Sequence, residues 1–214
     1  IFQRINALIK FMNPVVRFAP SPTGQLHIGG VRTALFNYLF ALKNNGKFLL
    51  RIEDTDAERS KDIYTEQIIE SLGWLGFEYE GNPIKQSLRI KRYQEVIECL
   101  LKTGSAYRCF ATVEELDELR NEKDNYLYPR IWRDRSEQEI EAKLQKKENY
   151  VIRIKIPLNG SIHFKDLVYG DINTDCSELD DFIIARSDGT PTYNFTVVVD
   201  DHDMQVSHVI RGED

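Results

Sequence analysis

The sequence predicts an α/β fold built on a parallel sheet and interrupted by an α+β insertion. PVVRFAP is an apolar strand that Pro20 ends, and KFLLRIED is a second strand. A helical pattern follows each of them, first GGVRTALFNYLFALKNNG, which Asn45 and Gly46 end, and then KDIYTEQIIESLGWLG. Because strand and helix alternate at this short spacing, the two strands should lie parallel in one sheet.

Apolar residues at helical spacing identify the helix faces that should pack on this sheet. In the first helix these residues are Val31, Leu35, Tyr38, Leu39 and Leu42. In the second helix they are Ile68, Ile69, Leu72 and Leu75.

The pattern changes after residue 87, where short helices and strands predict an inserted α+β domain. A helix begins at Ser87 and ends at Gly104, AYRCF is a strand, TVEELDELRNEK is a charged helix, and a capping box of Ser136 and Glu139 begins another helix. Strands follow at YVIRIKIP, SIHFKDLVYGDI and DDFIIAR, with SDGT as a turn. YNFTVVVDD and VSHVIRGED are then interpreted as buried strands that return to the first fold.

These changes predict four consecutive regions. Residues 1–11 are an extension ahead of Met12, 12–87 form the first half of the α/β domain, 88–186 form the insertion, and 187–214 begin the second half.

Composition indicates a globular protein without a disulfide framework. Of the 214 residues 42% are hydrophobic and 29% charged, and the three cysteines are widely spaced, which favours a reducing compartment. The longest apolar runs are too short to cross a bilayer, and the first residues lack the features of a signal peptide.

The net charge of −6 excludes a bulk polycation but not a local basic face. Lys85 to Arg108 contains six basic residues and two acids, and a second cluster consists of Arg130, Arg133 and Arg135 with Asp134. These clusters are either solvated faces of helices and loops or contacts for RNA phosphates.

The loop PSPTGQLHIGG lies between the first strand and the first helix, at the sheet edge where α/β proteins bind ligands. At the helix start, the backbone N–H groups of Gly29 and Gly30 favour an anion, and His27 can donate to a phosphate oxygen. The alternative is a histidine that is satisfied within a proline-rich turn.

Four motifs in order, RFAPSPTGQLHIGG, RIEDTD, PTYNFTVVVDDH and VIRGED, resemble the glutamyl-tRNA synthetases of bacterial and organellar type. The resemblance runs from Val16 to Asp214. It implies a Rossmann-like class I synthetase catalytic domain of the HIGH type, with an inserted connective domain that binds the tRNA acceptor arm. The implied reaction is activation of glutamate by ATP, followed by transfer of glutamate to the 3′ end of tRNA(Glu).

The resemblance also implies roles for individual residues. The catalytic element is His27, Gly29 and Gly30. ATP would contact Ala19, Ser21, Thr23, His27, Gly29 and Gly30. Glutamate would contact Arg17, Ser21, Glu53, Tyr193 and Arg211, because a guanidinium matches a carboxylate bidentately and Glu53 can hold the ammonium. The tRNA 3′ end would lie near Thr55 and Asp56, and in the insertion Tyr126, Tyr128 and Trp132 would suit stacking.

We expect no protein-bound metal. Some relatives have a zinc site that includes a Cys-x-Cys pair, but Cys109 is followed by Phe110 and Ala111, and one thiol cannot form such a site. DDHD at Asp200 to Asp203 is interpreted as a strand-end motif, and any Mg²⁺ should arrive with ATP.

The expected partners are tRNA(Glu), glutamate and ATP, for a monomer that acts in the bacterial cytoplasm or an organelle, without a membrane. The chain lacks the KMSKS loop and the anticodon-binding helices, so we expect an N-terminal portion of a longer enzyme with little activity alone. Two alternatives stay open: a synthetase that attaches glutamate to queuosine of tRNA(Asp), and a non-catalytic tRNA-binding module.

Overall fold

The computed structural model describes residues 13–56, 58–123 and 127–212. The predicted extension 1–11 and Met12 therefore lie outside the described residues. Two compact units divide the chain: the first comprises residues 13–91 and 196–212, and the second comprises 92–195. The domain boundaries at 88 and 186 stay predictions.

A parallel three-stranded sheet forms the centre of the first unit. Strand β1 (Val15–Phe18) leads into helix α1 (Ile28–Lys43), and β2 (Lys47–Ile52) leads into α2 (Asp62–Trp74) and the short β3 (Ile84–Lys85). The sheet order is β1-β2-β3, and both pairs are parallel. The predicted α/β class with a parallel sheet is confirmed.

The core of the first unit lies where the two helices pack on this sheet. Ile68 and Leu72 of α2 are buried, and Ile69 and Leu75 are partly buried, so the predicted face of α2 is confirmed. Consecutive residues of the strands are buried, as is typical of parallel strands. The strand residues of the core are Val16, Phe18, Phe48, Leu50 and Ile52.

The predicted face of α1 is wrong in part. Its buried residues are Ala34, Asn37 and Ala41, small or polar side chains that let the helix approach the sheet closely. The Asn37 amide nitrogen donates to the carbonyls of Thr33 and Ile210, both at 2.9 Å, so both of its N–H groups are paired in the core. Three residues of the predicted face are exposed instead: Leu35, Leu39 and Leu42.

Antiparallel strands and short helices form the second unit. After a 3₁₀ turn (Gln86–Arg89) and helix α3 (Ile90–Lys102), the elements in chain order are β4 (Ala106–Cys109), α4 (Val113–Lys123), α5 (Glu137–Gln145), β5 (Val151–Ile154), β6 (Ser161–Asp166), β7 (Gly170–Asp175) and β8 (Ile183–Ala185). Strand β5 pairs with β4 and β8, and β6 and β7 form a hairpin, so SIHFKDLVYGDI contains parts of two strands. The capping box of Ser136 and Glu139 is confirmed.

The interpretation of the last two motifs as strands is wrong. Tyr193–Asp203 is a helix, α6. Its buried residues Thr196, Val199 and Asp200 lie three and four positions apart, while Val198 is 67% exposed, which is the pattern of a helix packed on one face. After α6 the chain runs beside β1, where the backbone N–H groups of Ser207 and His208 donate to the carbonyl of Val15.

Gly46 marks a close approach between two backbone segments of the first unit. Lys47 N–H donates to the carbonyl oxygen of Pro14 at 2.7 Å, and a Cβ at position 46 would lie far inside van der Waals contact with that oxygen. We expect Gly46→Ala to lower the free energy of unfolding by about 1–3 kcal/mol, because the backbone itself must move. Urea unfolding followed by circular dichroism measures this change.

Gly73→Ala in α2 is the matched control. A Cβ at position 73 meets nothing within 4 Å, so this variant should gain up to about 1 kcal/mol from helix propensity. Equal destabilisation by the two substitutions would contradict the packing argument for Gly46.

Candidate active site

The loops that follow β1 and β2 lie side by side at the carboxyl edge of the sheet. The N–H of Glu53 donates to the carbonyl of Pro20 at 3.0 Å, and the N–H of Lys61 donates to the carbonyl of Pro22 at 3.1 Å. The first and second sequence motifs, far apart in the chain, therefore meet through backbone hydrogen bonds.

His27 is the N-cap of α1. Its backbone is extended, and its Nδ1 accepts the N–H of Gly29 at 3.2 Å. An accepting Nδ1 carries no proton, so the neutral ring has its proton on Nε2. Because the side chain is exposed, Nε2–H is available to donate to a group outside the protein.

The two glycines after His27 also make room for their neighbours. A Cβ at Gly29 would lie 3.0 Å from the ring of His27, and a Cβ at Gly30 would lie 2.8 Å from Cδ1 of Leu26. The missing side chains therefore let the histidine fold back as a cap, besides leaving the first turn of α1 open. The predicted phosphate contact of these glycines stays a prediction.

A buried charge network joins Arg17 of β1 to Glu53 after β2. Arg17 Nε donates to Oδ1 of Asp201 at 2.9 Å, and the same oxygen accepts Nη1 of Arg51. Arg51 then donates to Oε1 of Glu53 from Nε at 3.2 Å and from Nη2 at 2.9 Å. The two side chains expected to bind glutamate are thus linked through one fully buried arginine and one aspartate of α6.

A second part of the network surrounds the fully buried Asp200. Its Oδ2 accepts Nε2 of Gln86 at 2.7 Å, and its Oδ1 accepts Nε of Arg89 at 2.7 Å. Arg89 also pairs with Asp203, and Arg51 Nε lies 4.0 Å from Asp200. The 3₁₀ turn, β2 and α6 therefore converge on one set of charges.

The charges around Arg51 outweigh its burial. Burial works against the protonated guanidinium, but the hydrogen bond with Asp201 and the charges of Asp201 and Glu53 raise the pKa of Arg51 above its ordinary value. The fully buried arginine therefore stays a cation.

The other predicted site residues are exposed or lie in loops. Ser21 and Thr23 are exposed in the loop that begins at Ala19, and Thr55 is exposed beside Asp56. Hydrogen bonds from the side chain and backbone of Arg59 hold the pKa of Asp56 below its ordinary value.

Tyr193 and Arg211 belong to the last segment of the chain. Tyr193 begins α6, belongs to the second unit and is 49% exposed, whereas Arg211 is exposed and follows the segment beside β1. Their predicted contacts with glutamate stay predictions.

Sequence reasoning missed the members of the network that do not face a ligand. Arg51 stands in RIEDTD and Asp200 and Asp201 stand in DDHD, but the motif positions alone did not indicate that they pair. DDHD was expected at the end of a strand, and it lies in α6 instead. Residues recurring at helical spacing, Thr196, Val199 and Asp200, were the signal that could have identified this helix.

Within the described ranges no group of three or more His, Cys, Asp or Glu side chains is placed to hold a metal ion.

In the second unit, groups of the protein itself pair with the three arginines of the second basic cluster, Arg130, Arg133 and Arg135. Asp181 is fully buried and accepts Nη1 of Arg133 on both carboxylate oxygens at 2.7 Å. Arg130 donates to a backbone carbonyl at 2.8 Å, and Arg135 pairs with Glu139 at 2.8 Å. Arg133 therefore fits neither of the two interpretations of the basic clusters: it does not belong to a solvated face, and it is not free to contact an RNA phosphate.

The stacking interpretation of the aromatic residues is wrong for Tyr128. Tyr128 is buried, its hydroxyl contacts Cys109 Sγ at 3.2 Å, and Arg153 lies 3.8 Å from the ring centroid. Burial, followed by the hydrogen bond with Cys109, raises the pKa of its phenol. Trp132 packs on Phe110 with ring centroids 5.0 Å apart. Tyr126 lies outside the described residues.

Comparison with known proteins identifies the family. The family model for class I tRNA synthetases (E and Q), catalytic domain, matches residues 14–214. The chain belongs to this family. As a class I synthetase catalytic domain, it has the Rossmann-like fold that the sequence motifs implied.

Similar class I synthetases cover nearly all of this chain. It is 54% identical over 203 residues to a glutamate–tRNA ligase of Coprothermobacter proteolyticus, covering 92% of this chain and 44% of that protein. It is 51% identical over 204 residues to a glutamate–tRNA ligase of Lawsonia intracellularis, covering 94% and 42%. The chain thus spans less than half the length of these relatives.

A solved structure of the same family has the same fold. The crystal structure of a glutamate tRNA ligase from Elizabethkingia meningosepticum in complex with its amino acid matches with a TM-score of 0.82 and 42% identity, over 94% of this chain and 44% of that one. Among the residues that the structure describes, no helix combines the length and apolar character needed to span a membrane.

The Asp181 cluster yields a prediction for the second unit. Asp181 also accepts the hydroxyl of Tyr107 at 2.9 Å and the N–H of Ile156 at 2.9 Å, so Asp181→Ala removes the acceptor of these two donors and of Nη1 of the half-buried Arg133. We expect a loss of about 3–5 kcal/mol in the free energy of unfolding. Hydrogen exchange of the β4 and β5 amides measures the loss within this unit.

Asp171→Ala is the control for Asp181→Ala. Asp171 lies on β7, and its exposed side chain is 3.7 Å from His163. Its removal should change the stability by less than about 0.5 kcal/mol. Unchanged exchange in Asp181→Ala would mean that the cluster does not stabilise the unit.

Proposed function

We propose that the protein containing this chain is a glutamate–tRNA ligase. It activates glutamate with ATP and transfers the glutamyl group to the 3′ end of tRNA(Glu). The observation that carries the proposal is the network in which Arg17 and Glu53, a cation and an anion, are held at the edge of the sheet beside the loop of His27. Relatives that are 51–54% identical and named glutamate–tRNA ligase support it over a queuosine-directed enzyme or a non-catalytic module.

In this proposal, Arg17 binds a carboxylate of glutamate and Glu53 binds its ammonium group. Arg211, Ser21 and Tyr193 complete the glutamate site. A neutral glutamine side chain would leave the guanidinium poorly paired, which costs about 1–3 kcal/mol or more. The charge of Arg17 therefore gives the site its preference for glutamate.

ATP binds at the start of α1. Nε2–H of His27 donates to a phosphate oxygen, and the backbone N–H groups of Gly29 and Gly30 face the same charge. Ala19, Ser21 and Thr23 line the adenylate, and Mg²⁺ enters with ATP as part of the substrate. The carboxylate of glutamate attacks the α-phosphate directly and pyrophosphate leaves, so positioning and charge stabilisation supply the catalysis.

The tRNA end approaches from the loop after β2, where Thr55 and Asp56 contact the terminal adenosine. The predicted insertion, residues 88–186, binds the acceptor arm. The protein acts where tRNA(Glu) is charged, in the bacterial cytoplasm or in an organelle, and its monomeric state stays a prediction.

Charging of purified tRNA tests this proposal. The protein expressed from its whole reading frame is incubated with ATP, labelled glutamate and tRNA(Glu), and acid-precipitable label is counted. We expect labelled glutamate to be attached to tRNA(Glu), and we expect no acid-precipitable label when labelled glutamine replaces the glutamate. Label on queuosine-containing tRNA(Asp) alone would favour the queuosine-directed enzyme, and tRNA binding without label would favour the non-catalytic module.

Two variants separate the catalytic role of His27 from its role as a cap. His27→Asn keeps a side-chain acceptor for the N–H of Gly29 but loses the Nε2–H donor, whereas His27→Ala loses both. We expect kcat to fall about 100- to 1,000-fold in each. Only His27→Ala should lose about 1 kcal/mol of stability. Full activity of His27→Asn in the charging assay would mean that His27 only caps the helix.

A further inference from the structure

We propose that Arg51 and Asp201 are positioning residues that hold Arg17 and Glu53 in the arrangement that binds glutamate. This inference rests on the proposed function and deepens it. Neither residue was among those expected to contact a ligand, and both lie between the two that were.

Arg51 fixes the carboxylate of Glu53. Two of its nitrogens, Nε and Nη2, converge on the single oxygen Oε1, so the position of this oxygen is fixed. Arg51 is fully buried and Glu53 is nearly so, which strengthens their attraction. An ionised Glu53 in a fixed orientation is what an ammonium ligand requires.

Asp201 fixes the guanidinium of Arg17. It engages only Nε, and among the described residues Nη1 and Nη2 of Arg17 make no hydrogen bond. Nη1 and Nη2, which together can donate to both oxygens of a carboxylate, are therefore available to a ligand, while Asp201 fixes the orientation of the side chain. Because Oδ1 of Asp201 also accepts Arg51, its charge is shared between two cations, and Arg17 keeps attraction for an anionic ligand.

The charges of the four residues balance. Arg17 and Arg51 supply two positive charges, and Glu53 and Asp201 supply two negative ones, so the charges of these four side chains sum to zero before a ligand arrives. Glutamate places a carboxylate at one end and an ammonium at the other. Loss of Arg51 leaves a negative charge in excess among these residues, and loss of Asp201 leaves a positive charge in excess.

The test measures glutamate binding and charging in two conservative variants. Arg51→Lys keeps the charge but not the fork that reaches both acids, and Asp201→Asn keeps the shape but not the charge. In each we expect the KM for glutamate to rise about 10- to 100-fold. We expect kcat to stay within about threefold and the KM for ATP within about twofold, because the contacts act on bound glutamate throughout the reaction.

Arg89→Lys is the matched control. Arg89 belongs to the same network, where it donates to Asp200 and pairs with Asp203. It should lower the unfolding temperature as Arg51→Lys does and leave the KM for glutamate within about twofold of wild type.

Each outcome decides between the alternatives. A glutamate KM that rises in Arg51→Lys and Asp201→Asn but not in Arg89→Lys supports positioning. Unchanged glutamate KM in folded Asp201→Asn, or an equal rise in Arg89→Lys, overturns it, and Asp201→Asn decides alone if Arg51→Lys does not fold. Calorimetry of the wild-type protein with glutamate separates the two proposals: absence of glutamate binding there overturns the proposed function, and this inference with it.

Discussion

The full burial of the Arg51 guanidinium constrains the whole first unit. A buried cation without carboxylates at fixed places costs several kcal/mol, and its partners come from two different elements, Glu53 after β2 and Asp201 of α6. Helix α6 must therefore pack with its acidic face toward β2. Asp201 also pairs with Arg17, and the neighbouring Asp200 pairs with Arg89, so the positions of β1 and of the 3₁₀ turn depend on the same acidic face of α6.

Local signals in the sequence were sufficient to predict features that depend only on neighbouring residues of the same helix. The capping box at Ser136 and the apolar face of α2 depend on residues a turn apart, and both were predicted. Helix α6 failed because its run of valines favours a strand by propensity, and only distant partners for Asp200 and Asp201 make the helix preferable. In α1 the apolar leucines were taken for the core face, but the close approach to the sheet selects Ala34 and Ala41.

Motif positions predicted which residues of the candidate site should contact ligands, and these roles stay predictions, but the motifs did not predict the residues that pair with them. Motif positions identified His27, Arg17 and Glu53, because the chemistry of phosphate and carboxylate binding calls for those residue types. Pairing through Arg51 could not be predicted, since nothing in a linear motif reveals which charges share one oxygen. In the second unit the same limit applied to Arg133, whose basic character was evident and whose buried partner Asp181 was not.

The hydrogen bond between Arg51 and Asp201 also sets the order in which the chain can fold. Its two residues are 150 positions apart, with the second unit between them. During synthesis on the ribosome, β1, β2 and their charges emerge long before α6, so Arg51 and Glu53 remain hydrated while the second unit forms. Closing so long a segment costs entropy that only the finished network offsets. Completion of the first unit is therefore the late event, and the nascent chain reaches its native charge pairing only after α6 has left the exit tunnel.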